Sequence, residues 1–345
     1  MAALGLGGNL AVFALACVAV WGAGALLTRC VDVIAERRGI GRAFMGFVVL
    51  ATATQLPELV TNSTAALRGD ARLVLNSMFG GVSLQTAVLI GADFMGARYA
   101  LTHLSRSPSN MAQATLLILL LGILLAVSVT GDVPIPGTTG LAPALLAVAY
   151  VVIVRLLWNI EQDQPWQPRV QKDDGVGDRA IANEALRRRS VGSLVGYAIA
   201  SAAVILVAGV ILVLSAQSIA ALSGLGASFV GVTLLATATS LPELSTTLTA
   251  VRLGRHSMAV SDIFGSNLIM VGLLLPADLL YRPGPLLDHM DSSARFALTL
   301  AIVLTAVYLT GLVLRRRRRF LRLGFDSWAV LLLYAGGLAV LYHLR

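Results

Sequence analysis

The chain has little charge and almost no cysteine. Asp, Glu, Lys and Arg together make up 13% of its 345 residues, and the only cysteines are Cys17 and Cys30. Hydrophobic residues make up 57% and the mean hydropathy is +0.81, which excludes an ordinary soluble domain. One cysteine lies within an apolar run and the other at its end, so we predict neither a disulfide nor a metal cluster. Most of the chain is therefore expected to lie in lipid.

Motifs for catalysis and nucleotide binding are also missing. The sequence contains neither G-x-x-x-x-G-K-[ST] nor H-E-x-x-H. Its four histidines, His103, His256, His289 and His343, lie in joints between apolar runs or near the end of the chain. These absences argue against an ATP-driven pump and an intramembrane enzyme. We therefore predict a protein that is not an enzyme and needs no cofactor.

Long apolar runs alternate with short Arg-rich joints. Runs of about 20 residues can cross a bilayer as helices, whereas the alternating segments of about ten residues that form a membrane barrel do not occur. We predict an all-α membrane protein with ten transmembrane helices. The predicted spans are 8–28, 43–67, 73–97, 109–130, 138–158, 191–215, 227–251, 258–281, 293–314 and 325–343.

The basic residues predict an orientation. Of the 26 Lys and Arg, 21 lie in joints that follow odd-numbered spans, including the run Arg315–Arg319. The positive-inside rule places these joints and the 159–190 linker in the cytoplasm and the N-terminus outside, in the plasma (cell) membrane. Anionic lipid headgroups are the natural neighbours of such a run. The predicted partners are the lipid bilayer and transported cations, with no nucleic acid and no evident obligate protein partner.

An internal repeat divides the chain into two halves. A shift of 185 residues aligns Gly46–Phe94 with Gly231–Leu279 without a gap, around LATATQLPEL in the first copy and LATATSLPEL in the second. Each half has five predicted spans, and an odd number makes the two repeats inverted. Inverted repeats with interrupted helices are typical of secondary transporters that bind substrate where the repeats meet. The predicted domains are 1–158 with repeat 46–94, the linker 159–190, and 191–345 with repeat 231–279.

One glutamate lies in the middle of each repeat's first span. Glu58 and Glu243 fall at a depth where a carboxylate costs several kcal/mol unless something compensates it. A bound cation is one compensation. A structural glutamate, hydrogen-bonded or protonated, is the alternative. We predict that Glu58 and Glu243 are the metal ligands.

Each glutamate follows a proline. Pro57 and Pro242 lack a backbone donor and are expected to free carbonyl oxygens one turn earlier. Those oxygens and nearby hydroxyls would form the oxygen-rich cage that Ca²⁺ and Na⁺ prefer, although any one hydroxyl could instead bond to its own helix. The predicted ion-binding residues in these spans are Thr54, Glu58, Thr239, Ser240 and Glu243, with Ala51 and Ala236 as backbone carbonyl candidates.

Spans three and eight are expected to form the opposite wall of the site. Residues four apart share a helix face. One such face carries Ser77, Gly81 and Gln85, and the other carries Asp262, Ser266 and Met270. Gly80, Gly81 and Gly265 are expected to allow close helix packing. Asp262 is a possible pathway acid that could line the route, carry a proton or lie in a cytoplasmic vestibule, whereas Asp93 and Asp278 near span ends are given no ion role.

At these residues the chain resembles the calcium/cation antiporter superfamily, which includes the sodium/calcium exchangers and their prokaryotic relatives. That family carries G-T-S-x-P-E followed by G-S-N in each of two repeats. Here the signatures read A-T-Q-L-P-E at Ala53–Glu58 and A-T-S-L-P-E at Ala238–Glu243, followed by G-G-V at Gly80–Val82 and G-S-N at Gly265–Asn267. The resemblance implies ten helices in two inverted halves that bind Ca²⁺ and Na⁺ alternately. Carried over by position, the ligands are Thr54, Glu58, Thr239, Ser240, Glu243 and Ser266.

Several positions depart from the family pattern. Gln55 and Gly81 stand where the family has Ser, and Met270 stands where sodium/calcium exchangers usually have Asp. Gln85 replaces an Asn and could still offer an amide oxygen to an ion. Losing the Asp removes one charge from the site, which Asp262 could restore.

We therefore predict a secondary active cation antiporter that exchanges Ca²⁺ for Na⁺ or H⁺ by alternating access at a midplane site. The alternatives are a cation channel, a cation sensor that does not exchange, and an antiporter for a different cation. Flux that continues without a counter-ion gradient would distinguish a channel.

Overall fold

A computed structural model describes residues 5–95, 99–135, 139–163, 184–223 and 229–344. Most of these residues are helical. In chain order the helices are α1 (Leu6–Arg38), α2 (Arg42–Met45), α3 (Ala51–Thr54), α4 (Leu56–Leu67), α5 (Ala71–Met95), α6 (Leu101–Leu104), α7 (Pro108–Thr130), α8 (Leu141–Asp163), α9 (Glu184–Arg187), α10 (Val191–Leu222), α11 (Phe229–Arg252), α12 (His256–Gly272), α13 (Leu274–Leu280), α14 (Ser292–Leu314) and α15 (Phe325–His343).

The short elements join these helices. A π-helical turn, Gly46–Leu50, connects α2 to α3, and a 3₁₀ helix covers Leu286–His289. Strand β1 (Arg319–Phe320) pairs antiparallel with β2 (Leu323–Gly324) in the joint before α15. Of the predicted linker 159–190, α8 takes the first residues and α9 lies near its end, while residues 164–183 fall outside the described part of the chain.

The chain is a multi-pass membrane protein. Among the described residues, eight helices are long and apolar enough to cross a bilayer, and the bent combination of α2 to α4 adds a ninth. The predicted span 227–251 corresponds to the 24-residue helix α11. This helix is not among the eight, and it carries Glu243, Pro242 and many threonines. The predicted positions of the helices are thus confirmed, whereas the count of ten is not shown directly.

Helix α1 is longer than predicted. The expected span ended at residue 28, but the helix continues to Arg38. Its last turns are buried, with Val31 and Val33 almost inaccessible, so tertiary packing extends the helix beyond the most apolar run. The helix ends at Gly39, whose φ of 65° supplies the left-handed cap that glycine adopts without steric cost.

Two predicted spans are interrupted. The chain bends by 47° between α3 and α4, at Gln55, two residues before Pro57. The π-helical turn that precedes α3 is a feature often found at functional sites. The predicted span 258–281 is also divided at Leu273, between α12 and α13.

The sequence repeat is matched by repeated local structure. Gly69 and Gly254, which are 185 residues apart, have φ angles of 74° and 73° and terminate α4 and α11. The backbone N–H groups of Asp70 and Arg255 donate to Ala65 and Ala250 at 3.0 and 2.8 Å. The two copies therefore end their first helices in the same way.

Asp93 and Asp278 also occupy matching positions. Asp93 accepts hydrogen bonds from the backbone N–H groups of Leu101 and Gly324, both at 2.7 Å. Asp278 accepts from Leu286 at 2.6 Å and from Gly140 at 2.8 Å. Each carboxylate holds the joint that follows its own helix and a second segment that belongs to the other half of the chain. Both residues have a structural role at helix ends.

Close helix packing depends on two glycines. A Cβ on Gly265 would lie 2.8 Å from the Cα of Phe47, and a Cβ on Gly46 would lie 2.6 Å from the carbonyl oxygen of Met258. Helix α12 therefore packs directly against the π-helical turn. The prediction that Gly80 also serves close packing is wrong, because nothing lies within 4 Å of a Cβ built there.

A buried ion-pair cluster connects the two halves at the end of the bundle where α1 finishes with Arg37 and Arg38, which we call the Arg-rich face. Asp32 on α1 is 1% exposed and accepts from Nε of Arg42 at 2.9 Å and Nε of Arg255 at 2.7 Å. Arg42 begins α2 in the first half, whereas Arg255 precedes α12 in the second. One carboxylate thus compensates two guanidinium groups at this end of the bundle.

Candidate functional site

The two glutamates predicted to bind metal are both buried. Glu58 is 5% exposed on α4 and Glu243 is inaccessible on α11. The carboxylates interact electrostatically with each other. The Oε2 atom of each accepts no hydrogen bond, and none of the ion pairs among the described residues involves either glutamate. The site therefore contains two buried acidic groups that no basic side chain compensates.

Gln55 joins the two halves at this site. Its Nε2 atom donates to Oε1 of Glu243 at 3.0 Å, across 188 residues of sequence. The amide oxygen of Gln55 is buried and accepts no hydrogen bond. The bend between α3 and α4 places the side chain in the site, because Gln55 is the residue at which the helix is interrupted.

Thr54 and Ser266 form a second connection across the halves. Their hydroxyl oxygens lie 3.2 Å apart and both residues are fully buried. Thr54 also interacts with the carboxylate of Glu243. The structure therefore brings three predicted residues together: Thr54, Glu243 and Ser266.

Ala51 does not provide the free carbonyl expected of it. Its oxygen accepts from the backbone N–H of Gln55 at 3.1 Å and from the hydroxyl of Thr54 at 3.2 Å. Pro57 removes the donor that would reach Ala53, four residues earlier, so the expected release was assigned to the wrong carbonyl. The proline ring packs on α10, 2.5 Å from where a Cβ on Gly209 would lie.

The other predicted ligands lie on α11 and α5. Ser240 on α11 is 8% exposed and Thr239 is partly buried. Ala236 lies within α11. Gln85 on α5 is 1% exposed and its amide oxygen accepts no hydrogen bond.

Met270 and Gly81 pack against each other. A Cβ on Gly81 would lie 3.3 Å from the terminal methyl of Met270, so the missing side chain at one position leaves room for the long side chain at the other. The Nδ2 atom of Asn62 contacts the Met270 sulfur at 4.0 Å, a weak contact. An apolar side chain thus fills this part of the cage, at the position where the resemblance implies a carboxylate.

Asp262 lies beside the cage on α12 and is fully buried. Its Oδ2 atom accepts from the hydroxyls of Thr246 at 2.5 Å and Thr247 at 3.2 Å, while Oδ1 accepts no hydrogen bond. The carboxylate also interacts electrostatically with Glu243. The predicted pathway acid is therefore next to the central site.

Reasoning from sequence missed four participants. Gln55 was treated only as a departure from the family pattern, and Asn62, Thr246 and Thr247 were not considered. Asn62 and Thr247 occupy equivalent positions in the two repeats, each four residues after the glutamate, so helical spacing was the signal available for both.

The fold and the site define a membrane transporter for cations. The family model described as "Sodium/calcium exchanger protein" matches residues 8–158 and again residues 193–343. The chain belongs to the sodium/calcium exchanger family and is a cation antiporter. It is not an enzyme.

Known proteins resemble this chain over part or nearly all of its length. Inner membrane protein YrbG of Escherichia coli is 25% identical over 276 residues, covering 79% of each chain. Sodium/calcium exchanger MaX1 of Methanosarcina acetivorans is 30% identical over 129 residues, covering 36% of this chain and 34% of MaX1. The solved structure of the sodium-calcium exchanger NCX_Mj, soaked with zero Na⁺ and Ca²⁺, covers 99% of this chain and 100% of its own with a TM-score of 0.70 at 16% identity. The last similarity shows the fold.

Proposed function

We propose that the protein exchanges Ca²⁺ for Na⁺ or H⁺ by alternating access at a site centred on Glu58 and Glu243. The observation that carries this proposal is the pair of buried carboxylates, each with an oxygen that accepts no hydrogen bond. Carboxylate, hydroxyl and amide oxygens suit hard cations. Two carboxylates neutralise one Ca²⁺, so binding a divalent ion removes the cost of burying them.

The ligand set supports a small number of bound ions. The Gln55 amide donates to Glu243, and Met270 occupies the position of a family carboxylate. The Gln55 amide occupies one oxygen of Glu243, and Met270 brings no carboxylate. The site therefore offers a bound ion fewer oxygen ligands and less negative charge. We infer that the site binds one divalent cation per cycle, or two monovalent cations of the same total charge. The proposed ligands are Thr54, Glu58, Gln85, Thr239, Ser240, Glu243 and Ser266.

We infer that ten helices form two inverted halves, 1–158 and 191–345, with α11 as the helix that completes the count. The matching helix ends at Gly69 and Gly254 support an ancestral duplication, and the family model matches once in each half. An odd number of spans in each half would invert the second copy.

The orientation follows from charge. We propose that the N-terminus is outside the cell, that the Arg-rich joints and the 159–190 linker are cytoplasmic, and that the protein lies in the plasma membrane. Transported cations and lipid are the proposed partners, and no cofactor is required.

Flux into proteoliposomes tests the ion specificity. Ca²⁺ uptake is measured as ⁴⁵Ca²⁺ with an outward Na⁺ gradient at equal pH, and then with an outward proton gradient in Na⁺-free buffer. We expect at least one gradient to drive uptake, and we expect Glu58→Gln and Glu243→Gln to abolish it. Glu184→Gln, which removes an exposed carboxylate paired with Arg188, is the matched control and should behave as wild type.

Three outcomes would contradict the proposal. Uptake that is unchanged by Glu243→Gln would remove the site. An absence of gradient-driven uptake in the wild type, with the protein folded, would exclude Ca²⁺ and direct the same assay to another cation. Uptake that continues without any counter-ion gradient would favour a channel.

A further inference from the structure

Asp262 is compensated differently from the buried aspartates Asp32, Asp93 and Asp278. Asp32 has two arginines, and Asp93 and Asp278 accept backbone N–H groups. Asp262 has two hydroxyl donors on one oxygen and none on the other, although it is inaccessible to solvent. A buried carboxylate with so little compensation is costly unless it holds a proton or a cation.

The neighbours of Asp262 increase its need for positive charge. Helix α7, the π-helical turn and α3 pack against α12 and carry no titratable residue along their length. The titratable residues of the other elements that pack against α12 are Arg42 on α2, Arg72 and Asp93 on α5, His103 on α6, Tyr150, Arg155, Glu161 and Asp163 on α8, Glu243 and Arg252 on α11, and Asp278 on α13. Of these, Glu243 interacts electrostatically with Asp262, and the two groups carry charge of the same sign.

Thr246 connects Asp262 to the central site. Its hydroxyl lies 2.5 Å from Asp262 and 3.1 Å from each of the carbonyl oxygens of Pro242 and Glu243. One hydroxyl has a single proton and cannot donate to all three oxygens. A proton on Asp262 would allow the carboxyl to donate to Thr246 while Thr246 donates to its own helix.

The position of Asp262 places it between the central site and the Arg-rich face. Thr246 is one turn, about 5 Å, beyond Glu243 along α11, and Asp262 is one turn beyond Ser266 along α12 in the same direction. One turn further, Met258 lines a cavity of about 580 Å³. The rim of this cavity includes Arg42, Glu161 and Arg255, the first and last of which are partners of Asp32.

We propose that Asp262, with Thr246 and Thr247, is a second binding site that takes a single monovalent cation, H⁺ or Na⁺, and so couples its movement to that of the ion at Glu58 and Glu243. This inference rests on the proposed function. The site holds one carboxylate, which one monovalent charge neutralises. The Thr246 hydroxyl lies within hydrogen-bond distance of both the Asp262 carboxylate and the Glu243 carbonyl oxygen, so occupancy of one site is expected to change affinity at the other.

Asp262→Asn tests the proposal by separating coupling from calcium exchange. Each proteoliposome sample is measured for ⁴⁵Ca²⁺ uptake driven by a proton gradient, for uptake driven by a Na⁺ gradient, and for Ca²⁺/Ca²⁺ self-exchange without either gradient. We expect the ratio of driven uptake to self-exchange to fall about tenfold, because a coupling free energy of about 1.4 kcal/mol corresponds to that factor. The gradient whose effect is lost identifies the ion, and Glu184→Gln is the control.

A milder pair of variants covers the possibility that Asp262→Asn fails to fold. Thr247→Val removes one donor to the carboxylate and Thr247→Ser keeps it. The valine variant should shift the coupling-ion concentration that gives half-maximal uptake, and the serine variant should restore it.

The outcomes separate the two proposals. An unchanged ratio in Asp262→Asn, or equal behaviour of the two Thr247 variants, would overturn the second site while leaving the central site intact. Equal loss of driven uptake and self-exchange would place Asp262 in the calcium site. That result would also overturn the proposal of a second site. Failure of the proposed function is recognised separately, by wild-type uptake that Glu243→Gln does not change.

Discussion

The methyl group of Met270 lies 3.3 Å from the place that a Cβ on Gly81 would occupy. These residues come from different repeats and both depart from the family pattern. Because the long side chain uses the space that the glycine leaves, the two departures form one packing arrangement. The effect on function is that this part of the ion cage is apolar.

Met270→Asp should make the stability of the protein depend on cations. A carboxylate introduced beside Asn62 is buried without a basic partner and is expected to cost about 3–5 kcal/mol in the absence of a bound ion. Added Ca²⁺ should recover much of that loss. Thermal unfolding in detergent, with and without Ca²⁺, measures the difference.

Met270→Leu is the control for the same position, because the volume is nearly conserved and no charge is added. It should unfold near the wild-type temperature and show the wild-type response to Ca²⁺. If Met270→Asp is no more responsive to Ca²⁺ than Met270→Leu, this position does not face the bound ion.

Gln55→Met should increase the dependence of Glu243 on a cation. The substitution keeps a side chain of similar length but removes the amide that donates at 3.0 Å. A hydrogen bond to a charged group contributes about 1.5–3 kcal/mol, so the apparent affinity for the ion should rise about tenfold or more while the ion-free protein becomes less stable.

Titration calorimetry of purified protein measures this affinity. Gln55→Glu provides a comparison in the same direction, because it also removes the amide donor and adds a charge that repels Glu243 without an ion. If Gln55→Met weakens binding, the free amide oxygen of Gln55 is itself a ligand.

Gly265→Ala should destabilise the fold. The added methyl group would lie 2.8 Å from Cα and 2.9 Å from the carbonyl oxygen of Phe47, and backbone cannot move as cheaply as a flexible side chain. Overpacking of this kind costs about 1–3 kcal/mol. Gly80→Ala, where nothing lies within 4 Å, should be neutral or stabilising by up to about 1 kcal/mol. Thermal unfolding of Gly265→Ala and Gly80→Ala, measured in parallel, compares their stabilities. Equal stability would show that α12 does not pack on Phe47 as described.

Asp278→Asn should lower stability without changing ion affinity. The carboxylate holds the backbone N–H groups of Leu286 and Gly140, and replacing it weakens two hydrogen bonds by about 1–3 kcal/mol in total. Asp93→Asn should behave in the same way in the other half. Folded yield and calcium affinity per folded molecule are the measurements. A change in affinity at constant stability would assign these residues to ion transport.

Helix positions could be predicted because hydropathy and glycine mark them directly. Gly69 and Gly254 end their helices where the sequence indicates, and apolar runs locate α7, α8 and α14. The full length of α1 could not be predicted, since packing of Val31 and Val33 extends it past the apolar run. The break at Leu273 has a local signal that the sequence analysis did not use, because Gly272 precedes it and Pro276 lacks the backbone donor that would reach the Gly272 carbonyl.

The candidate site was predicted as a set of residue types, but not as a set of contacts. Two copies of one motif identified Glu58 and Glu243 because buried acids are costly in a membrane. The bond between Gln55 and Glu243 joins residues 188 positions apart, and no periodicity in the sequence brings them together. Similarly, the threonine partners of Asp262 depend on how α11 packs against α12.

The pattern LATATxLPEL appears twice in this chain with different backbone shapes. In the first copy the helix is interrupted at Gln55 and bends by 47°, whereas α11 continues as a helix through Pro242. The two decapeptides differ at one position only, and that position, Gln55 in the first copy and Ser240 in the second, is where the first copy is interrupted. A proline in both copies is therefore not sufficient to kink the helix, and the residue two positions before it, together with the packing around each copy, accounts for the asymmetry between the halves.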